Sequence, residues 1–254
     1  MTRIAIAQIS MHWSTTENVA AILQAMELAS SRGAKLCAFS ELAVTGFHRH
    51  IAREATPELV LPAIQEIQAR CSKLLLGIAV GAPTFGDGAA KYNSHLLINE
   101  YGEIVAVVSK QGLTGPEATF FQSGAFRPTA KLQGINCSAV ICREVSDVAL
   151  LTQELKPGTA EVIFVPGALR QDPEKPRTDP PEYVRDIQHL AVATTAYVVQ
   201  TNWPNALNRP EESAEGGEST VAAPTGEVMF RLPRESSGLG IFNLGERHFE
   251  WCPQ

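Results

Sequence analysis

Apolar and polar positions along this chain alternate between a two-residue and a 3.6-residue beat, and each change of beat marks a predicted element. Arg3–Ile9 (RIAIAQI) reads as a first strand. Ser14-Thr15-Thr16-Glu17 has capping-box spacing, with hydroxyl and carboxylate each placed to satisfy an orphan amide. Val19, Ile22, Leu23, Met26 and Ala29 follow at helical spacing up to Gly33. Leu36–Phe39 is a short strand running into Ser40-Glu41, and a second helix is predicted over Pro57–Ser72. Leu74–Val80 is an uninterrupted apolar run, as expected of a strand covered on both faces. Tyr92–Asn99 and Glu103–Ser109 make a hairpin about Glu100-Tyr101-Gly102.

The second half has the same helix–strand–hairpin rhythm. Gln111–Pro128, rich in Gly, Pro and Phe, reads as a long ordered loop of the kind that is usually functional. A strand then runs to Cys142 as its last residue, followed by a helix near Val148–Leu155 and a strand over Val162–Val165. Pro180–Thr195 has Val184, Ile187, Ala191 and Thr194 on one helical face, and Tyr197–Thr201 is the next strand. Asn202–Gly217 reads as a polar loop. A hairpin (Ser219–Ala223, Glu227–Leu232) and a last strand (Leu239–Phe242) precede a tail that covers an edge, crosses to a partner subunit or hangs loose. Early strand–helix alternation with later hairpins predicts a layered α/β fold with mixed sheets, as a single domain over 1–254.

Composition narrows the function. The 254 residues are 44% hydrophobic and 19% charged, which is globular. The net charge of −6 and the lack of any Lys/Arg block argue against a nucleic-acid surface. No apolar run suits a membrane helix, and the N-terminus reads as a strand rather than a leader. Five cysteines without CxxC spacing predict neither a disulfide framework nor a zinc site, and so a reducing, cytoplasmic setting. His48-Arg49-His50 reads as a solvated loop, Gly86-Asp87-Gly88 as a turn, and no GxSxG elbow is present.

Three reactive side chains each stand at the exit of an apolar strand: Glu41 after AFS, Lys110 after VVS and Cys142 after AVI. Strand ends are where sites assemble in layered α/β folds. A cysteine can form a thioester, a glutamate can carry the thiol proton to a departing amine, and a lysine can face the oxyanion. Singly, Glu41 and Lys110 read as strand-capping surface charges and Cys142 as a small buried hydrophobe.

Taken together, the motifs give a resemblance. RIAIAQIS, AFSELAVTGF, YNSHLLINEYGEIVAVVSK, AVICREVSD, TNWP and GGESTVAAPTGEV resemble, in order, the segments of the nitrilase or carbon–nitrogen hydrolase superfamily. The separations of 69 (110 − 41) and 32 (142 − 110) residues suit that family's order Glu, Lys, Cys. The resemblance implies a four-layer α-β-β-α sandwich, a homodimer or larger assembly, no cofactor and no metal. It also implies cleavage of a non-peptide C–N bond of a small molecule through a cysteine thioester. By it, Glu41 is the general base, Lys110 the oxyanion stabiliser and Cys142 the nucleophile, with the backbone amide of Arg143 as second oxyanion donor. Glu117, the acidic residue of the loop after Lys110, takes the place of the family's second glutamate.

Two stretches depart from the pattern common in relatives: Gln111-Gly112-Leu113-Thr114-Gly115 after the lysine, and Arg143-Glu144-Val145-Ser146-Asp147 after the cysteine. They leave open whether the substrate is an amide, an ω-amide, a carbamoyl amine or a nitrile. Phe47, Tyr92, Phe121 and the Arg143 side chain are candidate substrate contacts, with Phe120 and Trp203 close by in sequence to pocket-forming loops. Acyl transfer or amide donation to a partner, a non-catalytic scaffold, and a Cys142 site paired with His189 or His248 are the competing readings.

Overall fold

The structure, a computed structural model, describes residues 2–169, 178–207 and 216–254. Most of its strands are apolar on both faces because each sheet packs helices on one side and the other sheet on the other. The seven-stranded sheet runs, in spatial order, β13 (Phe249–Pro253), β12 (Gly238–Asn243), β1 (Arg3–Gln8), β2 (Leu36–Ala38), β3 (Gly77–Phe85), β4 (Lys91–Ile98) and β5 (Ile104–Ser109). The six-stranded sheet runs β11 (Val228–Arg231), β10 (Thr220–Ala222), β9 (Tyr197–Asn202), β8 (Val162–Gly167), β7 (Ile135–Ala139) and β6 (Ala130–Leu132). Strands β1–β2–β3 and β7–β8–β9 are parallel and the hairpins antiparallel, so both sheets are mixed.

Alternation along β1 shows the layering. Ile4 and Ile6 point into the core between the sheets, with Phe164, Val199 and Val221 of the facing sheet. Ala5 and Ala7 point the other way, onto α1 (Thr15–Ser31) and α3 (Pro57–Leu74), whose Ile22, Met26, Ile64 and Ile67 complete that layer. On the far side, α5 (Val148–Glu154) and α6 (Glu182–Thr194) bury Leu151, Val184, Ile187 and Leu190 against Ile163 and Val165. This is the α-β-β-α sandwich.

Helix α1 begins at the predicted cap, with Ser14 Oγ accepting from Glu17 N at 3.3 Å, but the Glu17 carboxylate takes the Ser14 hydroxyl at 2.7 Å in place of the predicted amide. Other boundaries move. The helix α3 continues to Leu74, and Leu75 closes it in a left-handed conformation, so the strand predicted from Leu74 starts at Gly77. A run of three leucines has no period to separate helix from strand. The tail is the edge strand β13, paired with β12 from Phe249 to Pro253. Sequence patterning missed two short pieces, α2 (Ile51–Glu54) and β6. It also missed α4 (Gly115–Ala118) inside the loop after Lys110. The predicted polar loop 202–217 is described only at its ends. No helix among the described residues is long and apolar enough to cross a membrane. The five cysteines are free.

His95 sets a test of stability. It lies between Asn93 and Leu97 on the face of β4 that looks into the inter-sheet core. It is fully buried, and neither ring nitrogen has a hydrogen-bond partner among the described residues. Burial holds its pKa down at about 3, against 6.5 for an ordinary histidine. The unfolded chain therefore binds a proton here that the folded chain refuses, so stability falls as pH drops from about 6.5 towards 3. Between pH 7 and pH 4.5 this one residue costs roughly 2–3 kcal/mol. His95→Met is expected to remove that part of the acid sensitivity, measured by urea unfolding at both pH values. An unchanged difference between the two pH values would contradict it.

Candidate active site

The loop that carries Glu41 is shaped by what lies beneath it. After β2 the chain turns sharply through Leu42, at φ +52°, to Gly46, at φ +76°. The turn rests on Gly81 of β3, where a Cβ would stand 2.3 Å from Leu42 N and 2.5 Å from Ser40 O. No side chain fits there, so glycine is what allows the turn to close on the sheet. The Trp203 indole, buried, donates Nε1–H to the Glu41 carbonyl at 3.0 Å.

Lys110 leaves β5 directly, with its N–H donating to Asn93 O at 2.8 Å and its carbonyl accepting from Gly124 N at 2.8 Å. Strands β2 and β5 point the same way, which brings Glu41 and Lys110 to one edge of the sheet. Lys110 Nζ donates to Glu41 Oε1 at 2.8 Å and to Glu117 Oε1 at 2.6 Å. Glu117 is carried by α4, where Thr114 caps the turn and donates both N–H and Oγ–H to Glu117 Oε2 at 2.8 Å. Lys110 and Glu41 are 1% and 0% exposed, so neither is the surface charge that each suggests alone.

Asn93 completes this cluster, and motif reading did not single it out. Its Nδ2 donates to Glu41 Oε1 at 2.8 Å and to Glu117 Oε1 at 3.3 Å. Asn93 and Lys110 thus bridge the same two carboxylate oxygens from two sides. A signal was present: Asn93-Ser94-His95 are three buried polar residues within a strand whose other buried residues are apolar.

Cys142 reaches the cluster from the other sheet, though not as the end of a strand. Strand β7 stops at Ala139, and Cys142 opens the 3-10 turn Cys142–Ser146 with φ +54°. This left-handed conformation is uncommon for a residue with a Cβ and is held by its surroundings. Buried Glu144 and Val145 anchor the turn beneath it.

Electrostatics follow from this packing. Burial, then the charge of Glu41, push the Cys142 thiol up to about 12, against a partial pull downward from Lys110 and the Ala168 amide. Burial alone would lower Lys110, yet the charges of Glu41 and Glu117 hold it above its ordinary value as an ammonium. Burial would raise Glu117, but Lys110 and Thr114 together bring it below the ordinary carboxylate value. The resting site therefore holds a thiol, a fixed cation and a carboxylate facing the thiol. Glu41 Oε2 is buried and is left clear by Lys110 and Asn93, which both bond Oε1.

The remaining expected residues divide. The Arg143 guanidinium turns away to Asp147 at 3.5 Å, with 42% of the side chain exposed. Phe121 is buried and donates its N–H to Glu117 O at 2.7 Å, with Phe120 edge-on at 4.8 Å. Phe47 is half-buried against the α1–α3 core. Tyr92 does not join the site: strand alternation turns it to the face of β4 opposite Asn93, near Gly86 and Gln122. His189 and His248 are exposed, and neither is among the charges that act on Cys142. His48 is no solvated loop residue. It is buried, accepts from His50 N at Nδ1 and so donates Nε2–H to Thr45 O at 3.1 Å. Burial lowers its pKa, as befits a neutral ring. No group of His, Cys, Asp and Glu among the described residues suits a metal ion.

Two mixed sheets packed between helices bring together Glu41 and Lys110 from strand exits, Glu117 from α4 and Cys142 from a 3-10 turn, a set of groups suited to acyl chemistry on a thiol. The chain belongs to the carbon-nitrogen hydrolase family, whose sequence profile matches residues 3–246. The amidase from Nesterenkonia sp. AN1, in a mutant with acrylamide added at its active-site cysteine, has a similar fold. Its TM-score is 0.82 at 22% identity, over 96% of this chain and 93% of that one. Another structure of that amidase carries the acetamide moiety of fluoroacetamide at the cysteine, with TM-score 0.82 at 23% identity over 96% and 90% of the two chains. Glutamine-dependent NAD+ synthetase from Acinetobacter baumannii is also similar, with TM-score 0.81 at 18% identity, over 100% of this chain and 48% of that one. No curated protein sequence matches the chain. The fold is that of the nitrilase superfamily, and the protein is a carbon–nitrogen hydrolase enzyme.

Proposed function

We propose that this chain, as one domain, hydrolyses the amide bond of a small molecule through a thioester on Cys142, with Glu41, Lys110 and Cys142 as its catalytic triad. The observation that carries the proposal is Lys110, buried and fixed by two carboxylates, facing a thiol that also feels Glu41. With its pKa near 12, the thiol needs a base at the moment of attack. Glu41 takes the thiol proton as Sγ adds to the carbonyl carbon. The oxyanion forms between the Lys110 ammonium and the Arg143 amide. Collapse breaks the C–N bond, and Glu41 returns its proton to the departing amine or ammonia. Water then adds to the thioester, with its proton going to Glu41. The acid leaves, and the thiol recovers a proton.

Glu117 holds Lys110 by charge and, like Glu41, shares the Asn93 amide, so its task is to orient the cation beside the scissile carbonyl. Phe121, whose N–H donates to the Glu117 carbonyl, is our candidate for the acyl side of the site, and Phe47 a more distant one. The Arg143 side chain, drawn to Asp147, is left to contact only a substrate group at the mouth.

The test is ammonia release from a panel of aliphatic amides, ω-amides including glutamine, N-carbamoyl amines and nitriles, with Cys142→Ala as the blank. Release that depends on Cys142 and is confined to amides supports the proposal. Release confined to nitriles or carbamoyl amines overturns the substrate assignment. A second reading is ammonia donation to a partner enzyme, favoured by the likeness to part of a glutamine-dependent synthetase. It predicts that glutamine alone is hydrolysed. We further propose a homo-oligomer and a cytoplasmic setting, measurable by light scattering and cell fractionation.

A further inference from the structure

One buried carboxylate outside the triad touches both segments that carry it. Glu144 is 2% exposed. Its Oε1 accepts from Gln111 N at 2.7 Å and Gly112 N at 2.9 Å, the two residues that follow Lys110. Its Oε2 accepts from Ile141 N at 2.7 Å, the residue before Cys142. Arg127 grips the same carboxylate, with Nη1 at 3.3 Å from Oε2 and Nη2 at 3.2 Å from Oε1. Arg127 is itself tied down, donating to Ala139 O at 2.7 Å and to Glu154 Oε2 at 3.0 Å. Gln111 Nε2 reaches that same Glu154 oxygen at 3.2 Å.

Lys110 and Cys142 come from different sheets, and sheet-on-sheet packing by apolar side chains is not directional enough to fix a sulfur against an ammonium. Hydrogen bonds are directional, and charge-assisted ones to a buried carboxylate are the stronger kind. We infer that Glu144 is a positioning residue that sets the Lys110–Cys142 spacing by joining the backbone after the lysine to the backbone before the cysteine. The inference rests on the thioester reading above. Arg127 keeps Glu144 ionised: burial would raise its pKa, and the guanidinium with the backbone amides brings it below the ordinary value.

Glu144→Gln places an NH2 where Arg127 or the backbone N–H groups need an acceptor, so at least one of these ties breaks. The expected result is a fall in kcat of about 100-fold, as for a displacement near 1 Å at a reacting centre, with KM changed far less. Alkylation of Cys142 by iodoacetamide, which needs no oxyanion stabilisation, is expected to stay within about threefold of wild type. Arg127→Met is the second arm, for use whether or not Glu144→Gln folds. Without the guanidinium Glu144 protonates at higher pH, so the acid limb of kcat moves up by about one pH unit or more. A Glu144→Gln enzyme that melts earlier but keeps wild-type kcat, or an Arg127→Met enzyme with an unmoved acid limb, overturns the inference. Turnover by Cys142→Ala would instead strike the thioester reading, so the two failures are separable.

Discussion

Cys142→Ala is expected to leave a folded protein that releases no ammonia from any substrate the wild-type enzyme accepts. The alanine side chain lacks the sulfur on which the whole reaction turns. The oxyanion groups and Glu41 remain, but no nucleophile is within their reach. Loss of a nucleophile that works as one unit with its base typically costs a factor of about a million in kcat. The fold should survive, because the turn at Cys142 is held from beneath by Glu144 and Val145 rather than by the thiol. Steady-state ammonia release and thermal unfolding of the same preparation check both halves.

Lys110→Met is expected to damage activity and stability together, with a pH dependence that identifies the cause. Removing the ammonium leaves the Glu41 and Glu117 Oε1 atoms sharing only the Asn93 amide in a buried site. The oxyanion loses a charged donor, a change that costs roughly 100- to 1,000-fold in kcat or more. Breaking a buried ion pair from one side costs about 3–5 kcal/mol of stability. The sign with pH is the informative part. In wild type the folded Glu117 pKa lies below its unfolded value. It therefore adds stability above the unfolded pKa that is lost as pH falls through the folded one. Without Lys110 at least one carboxylate pKa rises above its unfolded value, so the destabilisation should grow as pH climbs from 5 to 8. Lys110→Met/Glu117→Gln should recover part of the stability and none of the activity. Urea unfolding at the two pH values and kcat for both variants decide this. A Lys110→Met enzyme equally stable at both, or active near the wild-type rate, would contradict it.

Strand-exit logic located Glu41 and Lys110 because apolar runs ending in a charge are visible in one dimension. It puts Cys142 near the cluster but on the wrong element. The run AVI continues smoothly past Ala139, and only the backbone shows that the strand has ended and the chain has entered a left-handed turn. Asn93 was harder to see, since a single amide in a strand has no period and its two partners lie 52 and 24 residues away in the chain. Glu144 shows in the sequence only as part of the stretch after the cysteine that departs from the family pattern. Its partners on Gln111 and Gly112, 33 and 32 residues earlier, belong to the other sheet's exit. Tyr92 failed for a simpler reason. Proximity in sequence to Asn93 guarantees, on a strand, that it faces the other way.

The most direct test of the central claim is to look for the acyl group on the sulfur. An amide substrate from the panel is mixed with enzyme, quenched in acid during turnover, and the peptide containing Cys142 is weighed by mass spectrometry. The account expects the mass of the acyl group on that peptide, removable by hydroxylamine as a thioester is, and absent from Cys142→Ala. Ammonia release by a Cys142→Ala enzyme, or an acyl group found on another residue, would contradict it.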